Sequence, residues 1–194
     1  MPNEIAVTFD YLCPFARNAH EALVYAVRDG FDVPVQFRAF SLNQAHVEEG
    51  EPPVWEREPD VWGSGVTALL YGIAVRDNFP DQFFDFHLGT FALRHDQGAK
   101  LLEPGLREVA ANAGIDVTAL AEEVWSGRPL KTLEREHTES VDRWKVFGVP
   151  TFIAGDEAVF VRFMERGNVE DLHRAIDLIE WTRLNEFKRT RIPR

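Results

Sequence analysis

Cysteine is almost missing from this sequence: of 194 residues, only Cys13 carries a thiol. One thiol excludes a disulfide within the chain and any all-cysteine metal site, and it agrees with a reducing compartment. The six histidines, at positions 20, 46, 87, 95, 137 and 173, are scattered without HExxH or a comparable ligand pattern, so no metal is expected. Long apolar runs are lacking too. No stretch of about eighteen apolar residues occurs, and Met1-Pro2-Asn3-Glu4 has neither the basic nor the apolar region of a signal peptide. These absences lead us to expect a soluble, cytoplasmic protein without membrane association. Positive charge is also scarce, with 21 Lys and Arg against 32 Asp and Glu and a formal net charge of -11. Such a chain has no field to attract phosphate backbones, which argues against nucleic acid as a partner. The exception is the tail, where Arg183, Lys188, Arg189, Arg191 and Arg194 face only Glu186. With Phe187 as its sole aromatic residue, it reads as a solvated tail or one paired with the acidic body.

What is present is a hydrophobic fraction of 45%, enough for a full core in one domain that carries an insertion. The single thiol stands at a junction. Ile5, Val7, Phe9 and Tyr11 alternate with Ala6, Thr8 and Asp10, the period of a strand. Pro14 then follows Cys13, as at the first position of a helix, and Phe15, Ala19, Ala22, Leu23 and Ala26 recur at helical spacing up to Gly30. Cys13 therefore reads as lying at a helix N-terminus, where free N–H groups and the helix dipole favour a thiolate. This reading expects a pKa somewhat below the free value of about 8.5. A lone cysteine elsewhere would pass for a small buried hydrophobe.

A second strand is expected from Val33 to Phe40, parallel to the first across the helix. From Asn43 to Ser64, three prolines and several acids point to a surface loop, with Trp55 and Trp62 either anchoring it or lining a site. Helices are then expected over about Val66 to Asp77, Phe83 to Arg94, Glu103 to Ala113, from Asp116 to Gly127, and from Pro129 through Trp144. His137 lies on the apolar face of the last of these and reads as a core histidine. Thr151 to Ala154 and Ala158 to Arg162 form a hairpin around Gly155-Asp156, and Asn168 caps a final helix.

The β-α-β half with Cys-Pro at its strand-helix junction, the helical block, and a β-β-α half beginning Gly148-Val-Pro-Thr-Phe152 resemble the DsbA-like branch of the thioredoxin superfamily. The resemblance implies an α/β, thioredoxin-like fold from residues 1–42 and 148–194, with 43–147 as an inserted loop and helical subdomain. It also implies that Pro150 is cis and faces Cys13, and that the Val149 backbone can pair with an extended ligand. Three details, Asp10-x-x-Cys13-Pro14-aromatic, His95-x-Gln97-Gly98 and Lys188-Arg-Thr-Arg191, are similar to the mycothiol-dependent nitroreductase-type members. One feature departs from the family: its Cys-x-x-Cys is Cys13-Pro14-Phe15-Ala16 here, without a resolving thiol.

The function these implications favour is a monothiol oxidoreductase. Cys13 is the nucleophile, and Pro14 with the N–H groups of Phe15 and Ala16 supports the thiolate. Val149 and Pro150 shape the groove; Ser41, Asn43 and His95 are further pocket candidates, though Ser41 and Asn43 could equally form turns and His95 could hold the insertion together. No bound cofactor is expected, with glutathione or mycothiol as co-substrate. The partner is then a low-molecular-weight thiol or disulfide, and monomer or homodimer is left open. The alternatives are an enzyme like the kappa-class glutathione transferases and 2-hydroxychromene-2-carboxylate isomerases, where a serine is usual at the active position, and a non-catalytic binding protein.

Overall fold

Apolar Ile5, Val7 and Phe9 build strand β1 (Ile5–Phe9), and Pro14, which gives up no needed N–H there, opens helix α1 (Pro14–Arg28). The computed structural model describes residues 2–186 and 188–191, so Phe187 and Arg194 of the basic tail lie outside the described residues. Strand β2 (Val35–Ala39) runs parallel to β1, with Ile5 opposite Val35 and Phe9 opposite Ala39. It starts later than the alternation suggests because Pro34 has no N–H for the ladder; the Pro34 carbonyl only accepts from Ile5 N, at 3.0 Å.

The stretch expected as a bare loop is partly ordered into α2 (Leu42–Ala45) and two three-ten turns, Val54–Glu56 and Pro59–Val61. Its tryptophans anchor it: Trp55 packs on His137, and Trp62 stacks on Trp125 while donating Nε1–H to Arg57 O at 3.0 Å. Helices α3 (Ser64–Asn78), α4 (Phe83–His95), α5 (Glu103–Asn112), α6 (Val117–Val124) and α7 (Arg128–Trp144) follow, close to their expected bounds. Asp116 caps α6 by accepting from Thr118 N at 2.9 Å. The chain returns through β3 (Thr151–Ala154) and β4 (Glu157–Phe160) to α8 (Val169–Glu180), which Asn168 caps from its Oδ1.

The sheet order is β2-β1-β3-β4, with β3 antiparallel to both β1 and β4. Helix α1 packs against α4 and α8, α8 reaches β3 and β4, and α7 lies on β2. Strand β1 is therefore covered on both faces, and Thr8 is as buried as Val7 and Phe9, so its sequence alternation overstates its exposure. His137 is buried in the core, stacked on Phe40 at 4.3 Å, and burial lowers its pKa to about 4.

Strand β2 is an edge, and edge backbone groups need partners. Arg76 of α3 donates to Phe37 O at 2.6 Å, Glu136 of α7 accepts from Ala39 N at 2.7 Å, and the two side chains pair at 2.8 Å. One ion pair thus closes the edge and locks both helices to it. Glu136→Ala leaves the buried Ala39 N–H without an acceptor and takes the bridging carboxylate from Arg76, which keeps Asp77 as its partner. It should cost about 1–3 kcal/mol in urea unfolding; a loss below about 0.5 kcal/mol, as for a surface pair, would contradict this role.

Candidate active site

Beyond Phe9 the chain turns at once. Cys13 N donates to Asp10 O at 3.1 Å, and Cys13 becomes the N-cap of α1 in extended conformation. Its Sγ accepts from Ala16 N at 3.4 Å, while its S–H donates to Val149 O at 3.3 Å across the chain. The Val149–Pro150 peptide bond is cis. Thr151 fixes this second segment, giving Oγ1–H to Gly148 O at 2.7 Å and its N–H to Thr8 Oγ1 at 2.9 Å. Cys13, Ala16, Val149 and Pro150 are buried, Phe15 is half-buried and Pro14 is exposed. The structure therefore brings the two sequence motifs together at the sulfur.

The loop holding Cys13 is clamped from three sides. The fully buried Asp10 carboxylate accepts from Leu12 N at 2.8 Å and from Leu42 N at 2.7 Å, joining the loop to α2. His95 donates Nε2–H to Tyr11 O at 2.9 Å. The Tyr11 side chain ends a buried chain of hydrogen bonds whose directions follow from its far end. Thr8 O can only accept, so His20 donates to it from Nε2 at 3.1 Å and leaves Nδ1 bare. His87 must then donate Nε2–H to His20 Nδ1 at 3.0 Å, and its own Nδ1 accepts the Tyr11 hydroxyl at 2.9 Å. Both imidazoles are neutral, since burial drives His20 down to about 4 and His87 well below the ordinary value.

The other expected pocket residues take different parts. Ser41 is fully buried and caps α2, accepting from Gln44 N at 3.1 Å, so it lies beneath any groove rather than in it. His95 serves the Tyr11 carbonyl, and Gln97 is exposed. Asn43 crowds the start of α3 beside Leu12: a Cβ on Gly65 would come within 2.6 Å of both side chains. Its Oδ1 is buried without a hydrogen-bond partner among the described residues. The shallow hollows along α7 and beside β4 do not include Cys13.

The surface beside Phe15 is aromatic. Phe160 lies 5.0 Å from exposed Phe147 and against Gly148, and the Arg162 guanidinium sits over Phe15 at 5.5 Å and Phe160 at 5.8 Å. Sequence patterning placed Arg162 at a strand end but did not mark it as a site residue, since only the fold sets it over Phe15, two residues from Cys13.

The geometry fits known proteins. Residues 84–177 match the model of the DSBA-like thioredoxin domain, a stretch that holds Pro150 and the hairpin and begins beyond Cys13. Over that stretch the chain is similar to the DSBA-like thioredoxin domain. Its thioredoxin-like fold is shared with a thioredoxin-like oxidoreductase from Silicibacter pomeroyi DSS-3 (18% identity, 93% of this chain and 91% of that one, TM-score 0.64). Pseudomonas aeruginosa DsbA is similar (20%, 94% and 86%, 0.62), as is a 2-hydroxychromene-2-carboxylate isomerase (18%, 92% and 97%, 0.65). No curated protein sequence matches the chain. None of the described helices is long and apolar enough to cross a membrane.

In this thioredoxin-like fold the thiol departs from expectation. Burial pushes the Cys13 pKa above its ordinary value; the N–H groups of Ala16 and Phe15 pull it down, Asp10 adds to the rise and Arg162 opposes it. The helix terminus is present, but desolvation of the sulfur outweighs it, and the bond from S–H to Val149 O further favours the thiol. Asp10 is itself raised to about 6 by burial, against its two backbone donors. The rate of Cys13 alkylation by iodoacetamide should rise about tenfold per pH unit and go on rising past the ordinary thiol value of about 8.5. A plateau at lower pH would restore the helix terminus as the dominant influence.

Proposed function

We propose that the protein is a thiol-disulfide oxidoreductase that works through Cys13 alone, with a low-molecular-weight thiol such as glutathione or mycothiol as co-substrate and no bound cofactor. The observation that carries the reading is the hydrogen bond from a helix-capping thiol to the carbonyl of Val149, at the cis Val149–Pro150 bond, in a chain with no second cysteine. The Cys13 thiol first loses its proton to solvent. Its thiolate attacks one sulfur of a disulfide, the S–S bond breaks, a bond to Cys13 forms, and the other sulfur leaves as thiolate. A second small thiolate from solution then attacks the mixed disulfide, releasing Cys13 and a new disulfide. Electrons pass only between the small molecules, and the protein ends as it began. A lone thiol needs a reducing compartment to stay free, so this reading places the protein in the cytoplasm.

Val149 O changes role in this cycle. It accepts the S–H bond while the thiol is neutral and loses that donor on ionisation, becoming available to an extended partner's N–H.

One observation favours a second reading, an isomerase or thiol-dependent transferase. Cys13 is a neutral hydrogen-bond donor here, as a hydroxyl would be, and an isomerase shares the fold. One variant separates the two readings. Cys13→Ser should abolish disulfide reduction if exchange is the chemistry, whereas an isomerase-type site keeps function with serine. Wild-type turnover should depend on added glutathione or mycothiol, and Ala16→Cys, one helical turn on, should permit an internal disulfide and relieve that dependence. Activity surviving in Cys13→Ser, or wild-type turnover indifferent to every small thiol, would contradict the proposal.

A further inference from the structure

Arg162 is unusual in this acidic chain. It is exposed, its guanidinium rests on Phe15 and Phe160, and among the described residues no carboxylate pairs with it. Glu165, three residues on, accepts from Asn168 Nδ2 at 3.1 Å, while Glu21 and Asp96 are held by Arg166. Two charges act on the sulfur, Asp10 and Arg162. Asp10 is fully buried behind the loop and tied to Leu12 and Leu42, so a molecule arriving from solvent meets the guanidinium first. Stacking on two rings also fixes the direction in which the guanidinium edge points, leaving its N–H donors free for a planar anion.

We infer that Arg162, seated between Phe15 and Phe160, is the specificity-determining residue of the Cys13 site and selects thiols and disulfides that carry a carboxylate. The inference rests on the exchange reading and refines it. A peptide thiol with free carboxylates fits this chemistry, and an uncharged sugar thiol does not. The chain's net charge of -11 alone would predict the opposite order, with cationic disulfides preferred. Near physiological salt, screening beyond about 8 Å removes most of that general field and leaves the guanidinium beside the sulfur.

The test compares three disulfides as single-turnover reagents for Cys13: anionic glutathione disulfide, neutral hydroxyethyl disulfide and cationic cystamine. Each reacts by the same balanced step, one S–S bond broken, one formed to Cys13, and one thiolate released. In Arg162→Gln the rate for glutathione disulfide relative to hydroxyethyl disulfide should fall about three- to tenfold, with relative cystamine rates rising. Arg162→Lys should fall between wild type and Arg162→Gln, because it keeps the charge but loses the stacked, directed N–H fork. Using ratios cancels any change in the Cys13 pKa, since that slows all three reagents equally. An unchanged ratio in Arg162→Gln, or equal slowing of all three, would overturn the inference while leaving exchange intact. Failure of wild-type Cys13 to react with any of the three would instead remove the exchange reading, and this inference with it.

Discussion

The Cys13 sulfur lies between two backbone groups with opposite demands. The Ala16 N–H favours a thiolate, the Val149 carbonyl favours a thiol, and burial sides with the carbonyl. Much of the surrounding structure serves to hold those two groups on the same atom. Thr8 is central to it, because its side chain takes Thr151 N beside the proline turn while its carbonyl starts the histidine chain that ends on Tyr11. A single buried residue of β1 therefore positions both halves of the site. Asp10, two residues on and just past the end of β1, adds the link to α2.

The chemistry that follows is that of a thiol held in reserve. A dithiol site can discharge a mixed disulfide internally, and a lowered thiol pKa makes it fast at neutral pH. Here neither condition holds, so under the proposed exchange reactivity depends on what the arriving molecule brings: a second thiol, and a charge that Arg162 can use. The aromatic rim of Phe15, Phe147 and Phe160 supplies contact area without hydrogen bonds, which leaves charge and backbone pairing as the orienting interactions.

Local features were legible in the sequence. Pro14 fixed the start of α1, Asp116 and Asn168 marked their helix starts, and the Gly155-Asp156 turn marked the hairpin, because each acts on its own backbone within a few residues. The contact between Cys13 and Val149 was legible only through family resemblance. Features set by tertiary closure were not readable. The sign of the Cys13 shift depends on how many atoms surround the sulfur, and periodicity does not report that. Asp10 reads as a polar residue at a strand end until Leu42, far along the chain, is brought to it. Arg162 looks like any surface cation until Phe15 is folded beneath it.

The central claim is that Cys13 forms a mixed disulfide that the chain cannot release. Intact-mass measurement of the protein after brief treatment with glutathione disulfide, followed by removal of all small molecules, tests this directly. A single glutathione adduct on Cys13 should persist unchanged for hours and disappear within minutes of adding reduced glutathione. No adduct at all, or an adduct that decays unaided in the purified protein, would contradict the account.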